Sequence, residues 1–173
     1  MLDQILQGLM YPFLFLSMYF QVILLMSFFE YRKKIKGEEN REIKNYPTVT
    51  IAIPCWNEER TLGGTLDSLL SLDYPKEKLK IIIVDNNSTD RTYAVGEVYA
   101  HNNSDIIKVY REEKQGKHHS VNLALNHSKS DLFGCLDADS FVDKNSLKNI
   151  VSYFEADKNT MAVTPCIHIS SPN

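Results

Sequence analysis

Residues 133–140 read Phe133-Gly134-Cys135-Leu136-Asp137-Ala138-Asp139-Ser140, an apolar run that ends in two carboxylates one residue apart. On an extended strand successive side chains alternate faces, so Asp137 and Asp139 share a side unless the strand ends between them. Two acids on one side of a strand end repel each other, and such a pair serves a cation or a proton-transfer task. The same residues also read as a polar turn, with Asp143 or Ser146 capping the helix that follows. The surrounding chain decides between the two.

Upstream of this stretch, strand and helix patterns alternate. Thr48-Val49-Thr50-Ile51-Ala52-Ile53 is a β-branched run that Pro54 is expected to break. Leu62, Leu66, Leu69 and Leu70 recur at helical spacing, although Gly63-Gly64 weakens that helix's start. Lys80-Ile81-Ile82-Ile83-Val84 lacks polar alternation, as a parallel strand covered on both faces does. Ser88 or Thr89 is the expected cap of a helix bearing Ala94, Val95, Val98 and Tyr99. A short strand over residues 105–110 and a helix over 117–126 then lead into the Asp-Ala-Asp stretch. Beyond it, Leu147, Ile150, Val151 and Phe154 predict a helix, and Met161-Ala162-Val163-Thr164 a last strand. This β-α-β-α-β-α-β-α-β order specifies an α/β fold with a mainly parallel sheet.

Before the first strand the chain differs in kind. Residues from about Leu9 to Phe29 are almost entirely apolar and free of charge, with Ser17, Gln21 and Ser27 as uncharged exceptions, close to the ~20 that cross a bilayer as a helix. A cleaved signal would begin basic and end in small residues, whereas this segment begins at Asp3 and ends in Phe28-Phe29-Glu30-Tyr31. It is therefore expected to be a retained anchor over residues 1–31, lying in the inner or plasma membrane. The cluster Arg32-Lys33-Lys34-Ile35-Lys36 opens a charged linker over residues 32–47 and, by the positive-inside bias, puts the following domain (residues 48–173) in the cytoplasm. A net charge of −3 over 173 residues provides no basic field, which argues against nucleic acid as a partner. Three cysteines, Cys55, Cys135 and Cys166, lack metal-site spacing and read as core thiols in a reducing compartment, with Cys135 on a buried strand.

Open α/β sheets bind ligands beyond the carboxyl ends of their strands, and this chain collects its special residues there. Pro54-Cys55-Trp56-Asn57-Glu58 follows the first strand, Asp85-Asn86-Asn87-Ser88-Thr89-Asp90 the second, and Asp137-Ala138-Asp139 the fourth. Three strands that deliver polar groups to one edge favour a site over a solvated turn. Asp139, with Asp137 beside it, offers hard oxygen ligands to Mg²⁺ or Mn²⁺, ions that bridge substrate phosphates. Asp85 can accept a hydrogen bond from a nucleobase or ribose, and Trp56 can stack or simply pack. Lys117 follows Gly116 at a helix start, a position suited to a phosphate. Adjacent His118 and His119 point in different directions and lack zinc-ligand spacing.

These four motifs, with Asn122 behind Gly116-Lys117, together resemble family 2 glycosyltransferases, most of all the membrane-bound processive β-glycan synthases of the poly-N-acetylglucosamine, hyaluronan and cellulose kind. The resemblance covers about Thr48 to Ser170. It implies a GT-A, Rossmann-like nucleotide-sugar fold behind one transmembrane helix, and a UDP-sugar donor of the UDP-N-acetylglucosamine or UDP-glucose type. By position it implies donor-site roles for Pro54, Trp56, Asn57, Glu58, Asp85, Asn87, Lys117, Asp137 and Asp139. Of these, Asp85 meets uracil, Lys117 the nucleotide, Asp137 the ribose or sugar, and Asp139 the metal. It further implies attack by an acceptor hydroxyl with inversion at the anomeric carbon. Trp56 stands where Tyr is commoner in such proteins, and His118-His119 where small residues are usual.

Relatives supply their acidic base and Gln-Arg-Trp-type acceptor motif after the point where this chain stops, at Asn173. The chain is thus expected to be truncated, a donor-binding half with its general base beyond Asn173, and to need a partner chain if the missing half is supplied separately. Three activities remain open from sequence: sugar transfer to a growing glycan or a lipid-linked acceptor, transfer to a polyprenyl phosphate, and non-catalytic UDP-sugar binding. A nucleotidyltransferase ranks last because Pro-Cys-Trp-Asn-Glu is not a Gly-rich phosphate loop.

Overall fold

The computed structural model describes residues 2–38 and 43–165; Cys166, the end of the resemblance to Ser170, and residues 39–42 of the expected linker lie outside them. The chain divides into two compact units, Met1–Glu42 and Ile43–Asn173.

The first unit is helix α1, Leu2–Glu38, with Pro12 inside it. Its segment Met10–Arg32 is 23 residues long and apolar enough to cross a membrane by length and composition. At 1.5 Å per residue it reaches roughly 34 Å, slightly more than a ~30 Å hydrocarbon core. Every side chain in that segment is exposed, as an apolar helix without a polar stripe requires if its solvent is lipid.

The second unit is built on a parallel sheet. Strand β1 (Val49–Cys55) leads through α2 (Leu62–Leu70) and a 3-10 turn (Lys76–Lys78) to β2 (Leu79–Asp85). Helix α3 (Thr92–Asn102), β3 (Ile107–Arg111), α4 (Lys117–His127), β4 (Leu132–Cys135) and α5 (Ser146–Ala156) follow. The strand order is β3-β2-β1-β4, with every pairing parallel. The chain therefore winds outward from β1 to β3 and then returns to the other side of β1. Between β1 and β4 the winding reverses, and that is where an open α/β sheet leaves a crevice at its carboxyl edge.

Strand periodicity divides the core. Val49, Ile51, Ile53 and Cys55 of β1, with Leu79, Ile81 and Ile83 of β2, share one cluster with Leu62, Leu66 and Leu69 of α2 and Leu147 and Val151 of α5. The alternate residues Ala52, Ile82 and Val84 face the opposite way, into a smaller cluster with Ala124 of α4. A reciprocal clamp closes the other end of the β1–β4 pair. The Asp131 carboxylate accepts hydrogen bonds from the Thr48 N–H and hydroxyl at 2.8 and 2.7 Å. These bonds, the hydroxyl's first, hold the Asp131 carboxyl below its ordinary pKa.

Four expectations are corrected. Residues 161–165 form no strand, and Met161 is 91% exposed. Apolar β-branched residues need a ladder partner, and among the described residues nothing pairs with the outer edge of β4. An apolar hollow of about 410 Å³ instead lies beside that edge, lined by Phe133, Leu147, Ile150, Phe154 and Met161. For the same reason Cys135 is exposed, because it ends an edge strand, while Cys55 is buried. Pro54 does not break β1, which pairs with β2 as far as Cys55↔Asp85. Its absent N–H would point toward β4, whose ladder has already ended at Ala52↔Cys135, so no bond is lost. Finally, neither Ser88 nor Thr89 caps α3; the Asp90 carboxylate accepts the Thr92 N–H at 2.9 Å instead.

Gly96 brings α3 against the sheet. A Cβ there would stand 3.1 Å from Val109 Cγ2 and 3.5 Å from Ile83 Cγ2. Gly96→Leu is expected to destabilise the domain by about 1–3 kcal/mol through overpacking. A lower urea midpoint, followed by circular dichroism, checks this; an unchanged midpoint contradicts the close packing of α3.

Candidate functional site

The carboxyl edge of the sheet holds a cleft of about 480 Å³. Its walls come from the loop after β1, the loop after β2, the start of α4 and the turn after β4, so its shape depends on how these four segments are fixed.

The β1 and β2 loops are fastened to each other. Asn57 takes a left-handed conformation (φ 56°), which Asn tolerates better than most residues. Its N–H donates to the Ser88 hydroxyl at 3.0 Å, and its side-chain carbonyl accepts the Thr89 N–H at 2.9 Å. The Glu58 N–H donates to the Thr92 hydroxyl at 2.7 Å. Asn87 is also left-handed (φ 58°) and exposed. Asn86, only 6% exposed, does for the α4 loop what Asn57 does for this one. Its carbonyl accepts the Gly116 N–H at 2.7 Å, and its amide donates to the Glu112 and Lys114 carbonyls at 3.2 and 2.7 Å. Gly116 sits at φ 130°, a conformation that L side chains rarely adopt, and from it α4 begins with Lys117.

Strand β4 ends at Cys135, so Asp137, Ala138 and Asp139 lie on a turn and not on the strand. Strand alternation therefore does not put the acids together; the turn does. Ala138 is buried and its carbonyl accepts the Thr65 hydroxyl of α2 at 2.7 Å, leaving Asp137 and Asp139 exposed on either side. The Lys117 ammonium donates to Asp137 Oδ1 across the mouth of the cleft. That hydrogen bond is the main cause of a raised Lys117 pKa. With both side chains about 60% exposed, the pair is worth little to stability and can exchange partners readily.

Of the nine residues that sequence places at the donor site, Pro54, Trp56, Glu58, Lys117, Asp137 and Asp139 line this cleft. Asn57 and Asn87 are in the loops beside it. Asp85 lies at the end of β2 in register with Cys55, 2% exposed, with Oδ1 unpartnered and Oδ2 3.9 Å from Arg111 Nε. The Arg111 guanidinium lies 3.8 Å over the Tyr93 ring. The His118 and His119 rings lie 4.0 Å apart between centroids, tilted by 41°, and do not line the cleft. Cys55 is buried beneath it, and burial, then Asp85 and Glu58, push its thiol pKa far up.

Asn86, Gln115 and Ser120 line the cleft without having been singled out from sequence. Ser120 had a readable signal, since it follows Lys117 by three on one helix face. Asn86 had none, because its role depends on where the α4 loop returns.

No group of three metal-ligand side chains exists among the described residues. The donor set nonetheless fits a hard divalent cation: Asp139 is exposed in the cleft, and its carboxylate has no hydrogen bond or ion pair among the described residues. Such an ion would complete its shell with phosphate and water oxygens.

A parallel sheet with its cleft at the winding reversal, an acid pair on one lip and a helix N-terminus on the other, defines the chain as an open-sheet α/β protein. A family model for glycosyl transferase family 2 matches residues 50–173, and the chain belongs to that family. It is 32% identical over 162 residues to the poly-beta-1,6-N-acetyl-D-glucosamine synthase of Staphylococcus aureus, covering 90% of this chain and 37% of that protein. It is 36% identical over 111 residues to the beta-monoglucosyldiacylglycerol synthase of Synechocystis, covering 63% of this chain and 23% of that one. The chain thus spans well under half the length of these relatives.

Among solved structures, the mannosyltransferase PcManGT of Pyrobaculum calidifontis, in complex with GDP-Man and Mn²⁺, superimposes with a TM-score of 0.61 at 28% identity over 73% of this chain and 39% of its own. S. aureus TarS in complex with UDP-GlcNAc does so with a TM-score of 0.55 at 26% identity, over 63% of this chain and 31% of its own. The fold is accordingly that of the GT-A glycosyltransferases.

Asn86→Ala removes one acceptor and two donors from the loop that sets Gly116. It is expected to lower stability by about 2–3 kcal/mol, measured by urea unfolding. A loss below about 0.5 kcal/mol contradicts the role assigned to this side chain.

Proposed function

We propose that this chain is the donor-binding part of a membrane-anchored, metal-dependent glycosyltransferase that takes a UDP-sugar and delivers the sugar to a glycan or lipid-linked acceptor with inversion. The observation that carries the reading is the cleft itself, where Lys117 and the Asp137–Asp139 turn meet at the carboxyl edge between β1 and β4. UDP-N-acetylglucosamine is the favoured donor, because the S. aureus relative that matches 90% of this chain is a poly-N-acetylglucosamine synthase and TarS was solved with UDP-GlcNAc.

In this mechanism Asp139, with Asp137 beside it, would hold Mg²⁺ or Mn²⁺, which when bound would supply charge neutralisation to a diphosphate leaving group. Lys117 leaves Asp137 for the diphosphate, adding a cation where negative charge develops and freeing the Asp137 carboxylate for the ribose or sugar. Trp56 offers an exposed indole face at the cleft wall against which a planar base can lie. Asp85 keeps an unpartnered oxygen for an N–H of the nucleotide. The base that deprotonates the acceptor is not assigned to any described residue.

Helix α1 anchors the enzyme, and the basic run from Arg32 to Lys36 keeps the domain on the cytoplasmic side. A lipid acceptor is the second reading. It draws on the same helix and on the similarity to a diacylglycerol-glycolipid synthase.

The test is calorimetric titration of the full chain in detergent with UDP, with Mn²⁺ and with chelator. Wild type is expected to bind only with metal, and Asp139→Asn to weaken binding at least tenfold without lowering the melting temperature. Equal UDP affinity in Asp139→Asn contradicts the metal role, and no UDP binding by the folded wild type contradicts the donor site.

A further inference from the structure

Helix α4 contains a buried hydroxyl with nothing to bind. Ser120 is fully buried, it lines the cleft, and its Oγ has no hydrogen-bond partner. Serines inside helices ordinarily bond back to a carbonyl three or four residues earlier. The other helix serines of this domain do so: Ser68 to Thr65, Ser146 to Asp143 and Ser152 to Asn149, each at 2.7 Å. Ser120 departs from them, and an unsatisfied buried hydroxyl is a cost that a functional partner would offset.

The position of Ser120 says what that partner is. Lys117 is 60% exposed at the mouth, beside Asp137 and Asp139, and these charges belong with a diphosphate and its cation. Ser120 lies three residues on, about 4.5 Å along the helix axis and on the same side. Uncharged groups line the cleft with it: Pro54, Gly116 and the Cys55 thiol, which is bonded to the Ile53 carbonyl. The Trp56 indole supplies a flat apolar surface to the same cleft. An uncharged, polar, flat group suits these lining groups, while the charged lip of Lys117, Asp137 and Asp139 suits the diphosphate and its cation.

We propose that Ser120 is a base-reading residue: its hydroxyl hydrogen-bonds the polar edge of the nucleobase of the bound sugar nucleotide, adding to specificity without contacting phosphate. This rests on the nucleotide-sugar reading of the cleft. The second orphaned buried atom, Asp85 Oδ1, is an acceptor at the end of β2, next to Asn86, which lines the cleft. A hydroxyl donor and a carboxylate acceptor together suit a base that presents a carbonyl beside an N–H, as uracil does, and mismatch the ring-nitrogen acceptor of cytosine.

Ser120→Ala in the full chain, in detergent with Mn²⁺, tests this against UDP, CDP, uridine and pyrophosphate by calorimetry, alongside the melting temperature without ligand. The expected result is a loss of about three- to tenfold for both UDP and uridine, unchanged pyrophosphate binding, a smaller preference for UDP over CDP, and a melting temperature equal to or above wild type. Undiminished UDP affinity overturns the proposal. So does a loss shared by pyrophosphate, which would make the hydroxyl a phosphate ligand. A variant that melts lower or fails to fold also overturns it, because the hydroxyl would then be structural. Absence of UDP binding in wild type overturns the nucleotide-sugar reading as well, whereas wild-type binding with an indifferent Ser120→Ala overturns this inference alone.

Discussion

A single buried hydrogen bond, from the Thr65 hydroxyl on α2 to the Ala138 carbonyl, fixes the chemistry of the carboxyl edge. Ala138 has to lie inward to accept it, and a turn whose middle residue is held inside must direct the residues on both sides outward. Asp137 and Asp139 are therefore turned outward by packing, to the cleft that both line. α2 can provide the hydroxyl only because its leucines, Leu62, Leu66 and Leu69, lock it onto the sheet face shared by β1 and β2. The acid pair is in this sense a consequence of core packing two elements away.

The rest of the cleft depends on amide side chains standing in for backbone. Asn57 fastens the β1 loop to the β2 loop, and Asn86 fastens the β2 loop to the start of α4. Asn57 supplies its backbone N–H as donor and its side-chain carbonyl as acceptor, and Asn86 supplies both ends of its amide, across gaps that secondary structure does not bridge, so loops from three separate segments keep one shape before any ligand arrives. Pre-ordering of this kind lowers the entropy lost on binding. The charged contact across the mouth, Lys117 with Asp137, is exposed and easily exchanged, which suits the diphosphate entry proposed for this cleft.

Much of this was legible in the chain. The unbroken Ile81-Ile82-Ile83-Val84 run marked a strand covered on both faces, the leucine spacing marked α2, and the polar clusters after three strands marked the edge where the cleft lies. Sequence was silent wherever the answer lay in what stands next to what. The exposure of Cys135 and the failure of residues 161–164 to form a strand both follow from β4 being an edge, which composition does not reveal. Pro54 reads as a strand breaker until one knows that β4 has already stopped at its side. Asn86 looks like one more turn residue, and its three hydrogen bonds exist only because the loop from Glu112 to Gly116 folds back over it. The Asp-Ala-Asp motif is the clearest case: sequence left a shared strand face and a polar turn both open, and the structure puts the two acids on a turn pinned at Ala138.

Trp56 provides the most direct test. It is the sole tryptophan of the chain, it is 58% exposed, and it lines the cleft. Its fluorescence, followed while the full chain in detergent is titrated with UDP-N-acetylglucosamine, reports on this cleft and on nothing else in the molecule. A nucleotide-sugar site predicts a saturable change that requires Mn²⁺ or Mg²⁺ and is reversed by chelator. A folded chain whose Trp56 emission is indifferent to donor and metal at millimolar concentration would contradict the account.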